Sequence, residues 1–122
     1  MFLRRVLLSA FLLLSSALTA AAELSLVMVE EAGCVWCARW NDEIAHIYPK
    51  TPEGQSAPLR RIDIHAALPD DLTFARRLSF TPTFVLMQDN LEISRIEGYP
   101  GEDFFWGLLE KMLEKADSPP LN

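Results

Sequence analysis

The stretch Leu24-Ser25-Leu26-Val27-Met28-Val29-Glu30-Glu31-Ala32-Gly33-Cys34-Val35-Trp36-Cys37-Ala38 decides the fold, because its hydropathic pattern changes halfway along. Leu24 to Val29 is a nearly continuous apolar run of strand length, the pattern of a strand covered on both faces. From Cys34 the apolar spacing turns helical. Cys37, Trp40, Ile44 and Ile47 or Tyr48 share one stripe, and Pro49 is expected to stop the helix. The two cysteines, three residues apart, therefore fall where a strand gives way to a helix. Sulfurs on one helical turn are close enough to form a small disulfide ring, and the unpaired N–H groups of a helix start favour a thiolate on the first. Cys34 is accordingly the expected nucleophile. Cys37, one turn in and on the buried stripe, is the expected resolving thiol that attacks Cys34 in a mixed disulfide and releases the partner.

Three other readings of the pair compete on these residues. A zinc site needs four ligands, yet there is no further cysteine, and His46 and His65 repeat no metal-ligand spacing. A c-type haem link needs His directly after the second cysteine, where Ala38 stands. An inert structural disulfide fits an exported protein, although closing so short a loop stabilises little. No metal and no organic cofactor is expected beyond the redox-active Cys34–Cys37 pair itself.

Working outward, the chain alternates strand and helix patterns. Lys50 to Pro58, rich in Pro, Gly and Ser, reads as a loop, and Leu59 to Ile64 as a second strand. Asp70 to Leu78 begins with acids and ends with Arg76 and Arg77, which matches a helix dipole at both ends and predicts a helix. Thr83 to Met87 and Leu91 to Ile96 are strands joined by Gln88-Asp89-Asn90, a hairpin turn. Glu102 to Lys115 is an amphipathic helix with Phe105, Leu108, Leu109, Met112 and Leu113 inward. This order predicts an α/β fold, a mixed central sheet flanked by helices.

The 122 residues, half of them apolar and 23% charged, have globular composition and room for one domain. Residues 1–22 divide into a basic start (Arg4, Arg5), an apolar run from Val6 to Leu14, and the small residues Ala20-Ala21-Ala22, the three parts of a cleavable signal peptide. The domain then spans 23–117, and 118–122, with Ser118-Pro119-Pro120, forms a flexible tail. Removing residues 1–22 takes away two arginines and no acid, so the formal charge falls from −6 to −8. Phosphate backbones and anionic headgroups repel such a chain, which argues against nucleic acid as a partner. Export places the thiols in an oxidising, bacterial-type periplasm, where a reduced pair needs a dedicated electron source.

Cys34-Val35-Trp36-Cys37, followed by Thr81-Pro82-Thr83-Phe84 and by Gly98-Tyr99, resembles the thioredoxin family over nearly the whole mature chain. The Val-Trp dipeptide and Glu97-Gly98-Tyr99-Pro100-Gly101 resemble the thioredoxins encoded with bacterial sulfur-oxidation systems. The resemblance implies a thioredoxin-like fold and a monomeric thiol–disulfide oxidoreductase. It also implies a cis Pro82 beside the Cys34 sulfur and a Thr81 backbone that pairs with an extended client strand. Its implied partners are a protein thiol or disulfide, such as a periplasmic sulfur-carrier protein, and a membrane thiol electron donor. Trp36 is expected to form an apolar contact patch with Tyr99 and Phe80.

Two departures from the family stand out. Met28 occupies the place, six before the first cysteine, where the family has a buried acid that assists proton transfer, which leaves Glu30 and Glu31 as candidates for that task. Gly33 replaces a frequent tryptophan. A reductase is the expected direction, with a disulfide oxidase or isomerase, or a non-catalytic binding module, as alternatives.

Overall fold

The computed structural model describes residues 22–117, so the expected signal peptide, apart from Ala22, and the tail at 118–122 lie outside the described residues. Four strands, β1 (Leu24–Glu30), β2 (Leu59–Asp63), β3 (Thr83–Gln88) and β4 (Leu91–Glu97), form one mixed sheet in the order β2-β1-β3-β4. β1 runs parallel to β2 and antiparallel to β3, and β3 is antiparallel to β4. Leu26 to Val29 are fully buried, as a central strand between two packed faces requires. Asp89 and Asn90 form the β3–β4 turn with positive φ of 49° and 66°, a conformation these two residue types tolerate better than most.

Helical packing occupies one face. α1 (Val35–Trp40) continues into a π-helical turn, Asn41–Ala45, and a 3-10 turn, Tyr48–Lys50. The stripe Cys37, Trp40, Ile44 and Tyr48 is buried as its spacing predicts, but Pro49 sits inside the 3-10 turn instead of ending one long helix. The expected loop over Lys50 to Pro58 contains a helix, α2 (Pro52–Ser56). Thr51 caps it by accepting from Gly54 N at 3.0 Å, and Pro52 fills a first-turn position whose N–H is dispensable. Gly54 is required there, since a Cβ would lie 1.8 Å from the Tyr48 carbonyl oxygen. α3 (Glu102–Asp117) buries Phe105, Leu109 and Met112 and half-buries Leu113, but Leu108, expected inward, is 40% exposed.

The helix predicted over Asp70 to Leu78 is absent: the β2–β3 connection is irregular apart from a parallel bridge between Thr73 and Leu91. Its backbone bonds elsewhere. Thr73 N donates to Asn90 O at 2.9 Å and Thr73 O accepts from Glu92 N at 3.0 Å, so the segment lies along β4. Arg95, 3% exposed, donates to the carbonyls of Arg76 at 3.0 Å and Arg77 at 3.2 Å while paired at 2.6 Å with Glu92, 4% exposed. The acids and arginines that suggested a dipole pattern serve tertiary partners instead: Asp71 takes a two-pronged bond from Arg60, and Arg76 pairs with Glu97. Leu72 and Leu78 from this connection cover Val27, Val29, Val85 and Met87 on the second face.

Candidate active site

The turn after β1 presents the cysteines. Gly33 has φ +79°, a left-handed conformation that glycine adopts without a Cβ penalty, and it turns the chain from the sheet into α1. Cys34 caps α1 with extended backbone, and its Sγ accepts from Cys37 N at 3.1 Å. Cys34 and Cys37 are joined as a disulfide, S–S 2.15 Å with Cα atoms 5.2 Å apart. Their exposure differs: Cys34 is half-buried, whereas Cys37 is 3% exposed among core residues.

Beside the pair, Trp36 (50% exposed) and Phe80 (57% exposed) flank a groove of about 350 Å³ that Thr81, Glu97 and Gly98 complete. The Thr81–Pro82 peptide bond is cis, as the resemblance implies, and Pro82 is buried with its carbonyl accepting from Gly98 N at 2.7 Å. Tyr99 does not join the Trp36–Phe80 patch. It is buried, its ring meets Phe105 at 6.2 Å edge-on, and its hydroxyl donates to Glu43 at 2.5 Å. Burial, then the neighbouring Glu43 carboxylate, pushes the Tyr99 phenol above its ordinary value.

Glu43 also accepts from Arg39 at 2.7 Å, and the Arg39 guanidinium lies 5.6 Å over the Trp36 ring. The Tyr99 hydroxyl and Arg39 together hold the Glu43 carboxyl below its usual range. Trp36 is thus backed by a cation fixed from beneath. The i,i+4 spacing of Arg39 and Glu43 was available in the sequence, but its link to Trp36 and Tyr99 depends on the fold.

Met28 is fully buried, and the Arg61 guanidinium reaches its Sδ at 3.5 Å. The same guanidinium bonds Glu30 at 2.5 Å and Asn41 at 2.9 Å and lies 5.7 Å from the Trp40 ring. Glu30 is therefore tied to Arg61. Glu31 accepts from Thr81 Oγ1 at 2.7 Å and lies 2.5 Å from His65 Nε2. Those hydrogen bonds, Thr81 first and His65 second, hold the Glu31 carboxyl below its ordinary value. Both candidates for proton transfer thus have side-chain partners. His65 carries no local signal of this role, because only the parallel register that sets Glu30 beside Asp63 brings it to Glu31.

A bonded cysteine pair at the junction of a central strand and a helix, with a cis proline just ahead of the neighbouring strand, defines a thiol–disulfide oxidoreductase site of the thioredoxin type. The chain is 52% identical to the periplasmic thioredoxin SoxS from Paracoccus pantotrophus, solved in its reduced form. That likeness covers 78% of this chain and 100% of that one with a TM-score of 0.76. This chain therefore belongs to the thioredoxin family. A thioredoxin from Malassezia sympodialis shares the fold at 13% identity and a TM-score of 0.55, over 74% of this chain and 77% of that one. The sequence matches no protein-family model and no curated protein.

Proposed function

We propose that this protein is exported to the periplasm and reduces cysteine disulfides or persulfides of client proteins. The observation that carries this reading is the asymmetry of the bonded pair, Cys34 half-buried at the surface and Cys37 buried in the core. In the reduced protein the Cys34 thiolate attacks a client disulfide, expels one client thiolate and leaves a mixed disulfide. Cys37, deprotonated, then attacks Cys34 Sγ, frees the second client sulfur and closes the pair. Two electrons pass to the client. With a persulfide, attack on the carbon-bound sulfur expels hydrosulfide and reaches the same mixed disulfide.

Clients dock as an extended strand along the Thr81 backbone next to Pro82, with apolar side chains on Trp36 and Phe80. A periplasmic sulfur-carrier protein fits this chemistry as client, and a membrane thiol protein as electron donor. The acidic mature chain favours a neutral or basic docking patch on the client. The 52% likeness to a periplasmic protein and the signal-peptide pattern of residues 1–22 support export. Material recovered from a periplasmic fraction is expected to begin at Glu23, and an N-terminus at Met1 contradicts cleavage.

Titration of the dithiol against glutathione tests the direction. A reductase gives a potential below about −230 mV, and a value near about −120 mV identifies an oxidant.

A further inference from the structure

Glu31 uses its two carboxylate oxygens on two distant segments. Oε1 accepts from Thr81 Oγ1 at 2.7 Å, fifty residues along the chain, and Oε2 lies 2.5 Å from His65 Nε2. A carboxylate only accepts, so both neighbours are donors and the side chain acts as a bridge. Its own carbonyl accepts from Cys34 N at 3.3 Å, which joins the same residue to the cysteine turn. Thr81 stands at the end of a helix-free connection, where Thr83 Oγ1 to Phe80 O at 2.6 Å is a further tie. A loop without a helical ladder keeps its shape only where side chains hold it. Thr81 also lines the groove shared with Trp36 and Phe80, so whatever orients Thr81 orients the groove floor.

We infer that Glu31 is a positioning residue for client docking: it latches Thr81 so that the backbone ahead of Pro82 stands at a fixed place relative to Cys34. His65 holds the carboxylate in the latched pose by occupying its second oxygen. This assignment takes Glu31 out of the proton-transfer role that its closeness to Cys34 suggests. A carboxyl held below its ordinary value by two donors is a weak proton acceptor at neutral pH. The inference rests on the reading that clients dock along the Thr81 backbone.

Steady-state reduction of insulin, a protein disulfide, and of hydroxyethyl disulfide, which has no strand to dock, separates the two roles. Glu31→Ala is expected to raise KM for insulin about tenfold with kcat held within about twofold, as loss of one charge-assisted hydrogen bond predicts. Its insulin-to-hydroxyethyl disulfide selectivity is expected to fall by the same factor. Glu31→Gln keeps an acceptor for Thr81 and is expected to stay within about twofold of the wild-type KM. Thr81→Val is expected to reproduce Glu31→Ala, and the double variant to add no further loss. An unmoved KM in Glu31→Ala overturns the latch. So does an equal loss of kcat in the Ala and Gln variants with a displaced pH profile, the signature of a proton carrier. A wild type that leaves insulin oxidised overturns the reductase reading and the latch together, whereas an active wild type with additive Glu31 and Thr81 losses overturns the latch alone.

Discussion

On one face of the sheet Trp40, Tyr48, Phe84 and Phe105 pack between strands and helices with ring centroids 4.9 to 6.3 Å apart. On the other, Val27, Val29, Val85 and Met87 meet Leu72 and Leu78 from a connection that contains no helix. The first face is ordered by area and ring geometry, which tolerate small shifts. The second is thin, and Arg95, through Glu92 and two carbonyls, supplies the order that a helix would supply itself. The active site spans both: α1 delivers the cysteines from the first face, and the irregular connection delivers Thr81 and Pro82 from the second. The cysteine pair and the Thr81–Pro82 segment are thus held by different forces and can be damaged separately.

Replacement by substitution separates them, starting with the largest effect. Cys34→Ser is expected to drop insulin reduction to background while the melting temperature of the reduced proteins stays close, so loss of fold in that variant breaks the separation. Phe105→Ala removes a fully buried ring touching Phe84, Trp40 and Tyr99, and is expected to cost about 3–5 kcal/mol in chemical denaturation. Arg95→Met strands the buried Glu92 carboxylate and is expected to cost about 3 kcal/mol, with Glu92→Leu added to it recovering most of the loss. Burial alone disfavours the charged Glu92, but the bonds from Arg95 and from Ala75 N outweigh it and set its carboxyl below the ordinary value. Leu78→Ala, at the rim of the thin face, is expected to cost about 2 kcal/mol.

The smallest effect concerns pH. The Glu31 carboxyl titrates below the ordinary 4.5 when folded, so the latch is present above 4.5 and is lost as the pH falls through the lower folded value. An NMR titration of its side-chain carbonyl is expected to give a midpoint under 4.5, and a midpoint above it contradicts the two donor bonds.

The helical face was the more legible of the two in the sequence. The stripe Cys37, Trp40, Ile44 and Tyr48, the hairpin at Asp89-Asn90 and the buried run in β1 follow from periods and turn chemistry that neighbours in the chain determine. The motif Cys34-Val35-Trp36-Cys37 placed the site for the same reason. The short helix α2 was also written locally, in Thr51-Pro52-Glu53, but its Gly and Ser obscured it, and only the fold shows that the Tyr48 carbonyl makes Gly54 compulsory. The second face was not legible, because Asp70 to Arg77 carry a helix's charge order while Arg60, Glu97 and Arg95 claim those groups from other strands. The partners of Tyr99 and Glu31 were hidden in the same way: the half-buried Glu43 takes the hydroxyl of one, and a threonine fifty residues away bonds the other.

The central claim is that Cys34 is the sulfur that meets the client and Cys37 the one that releases it. Mass spectrometry of the Cys34→Ser and Cys37→Ser proteins after exposure to a disulfide client tests it most directly. The account predicts a stable covalent adduct at Cys34 in the Cys37→Ser protein and none in the Cys34→Ser protein. An adduct through Cys37, or no adduct in either variant, contradicts it.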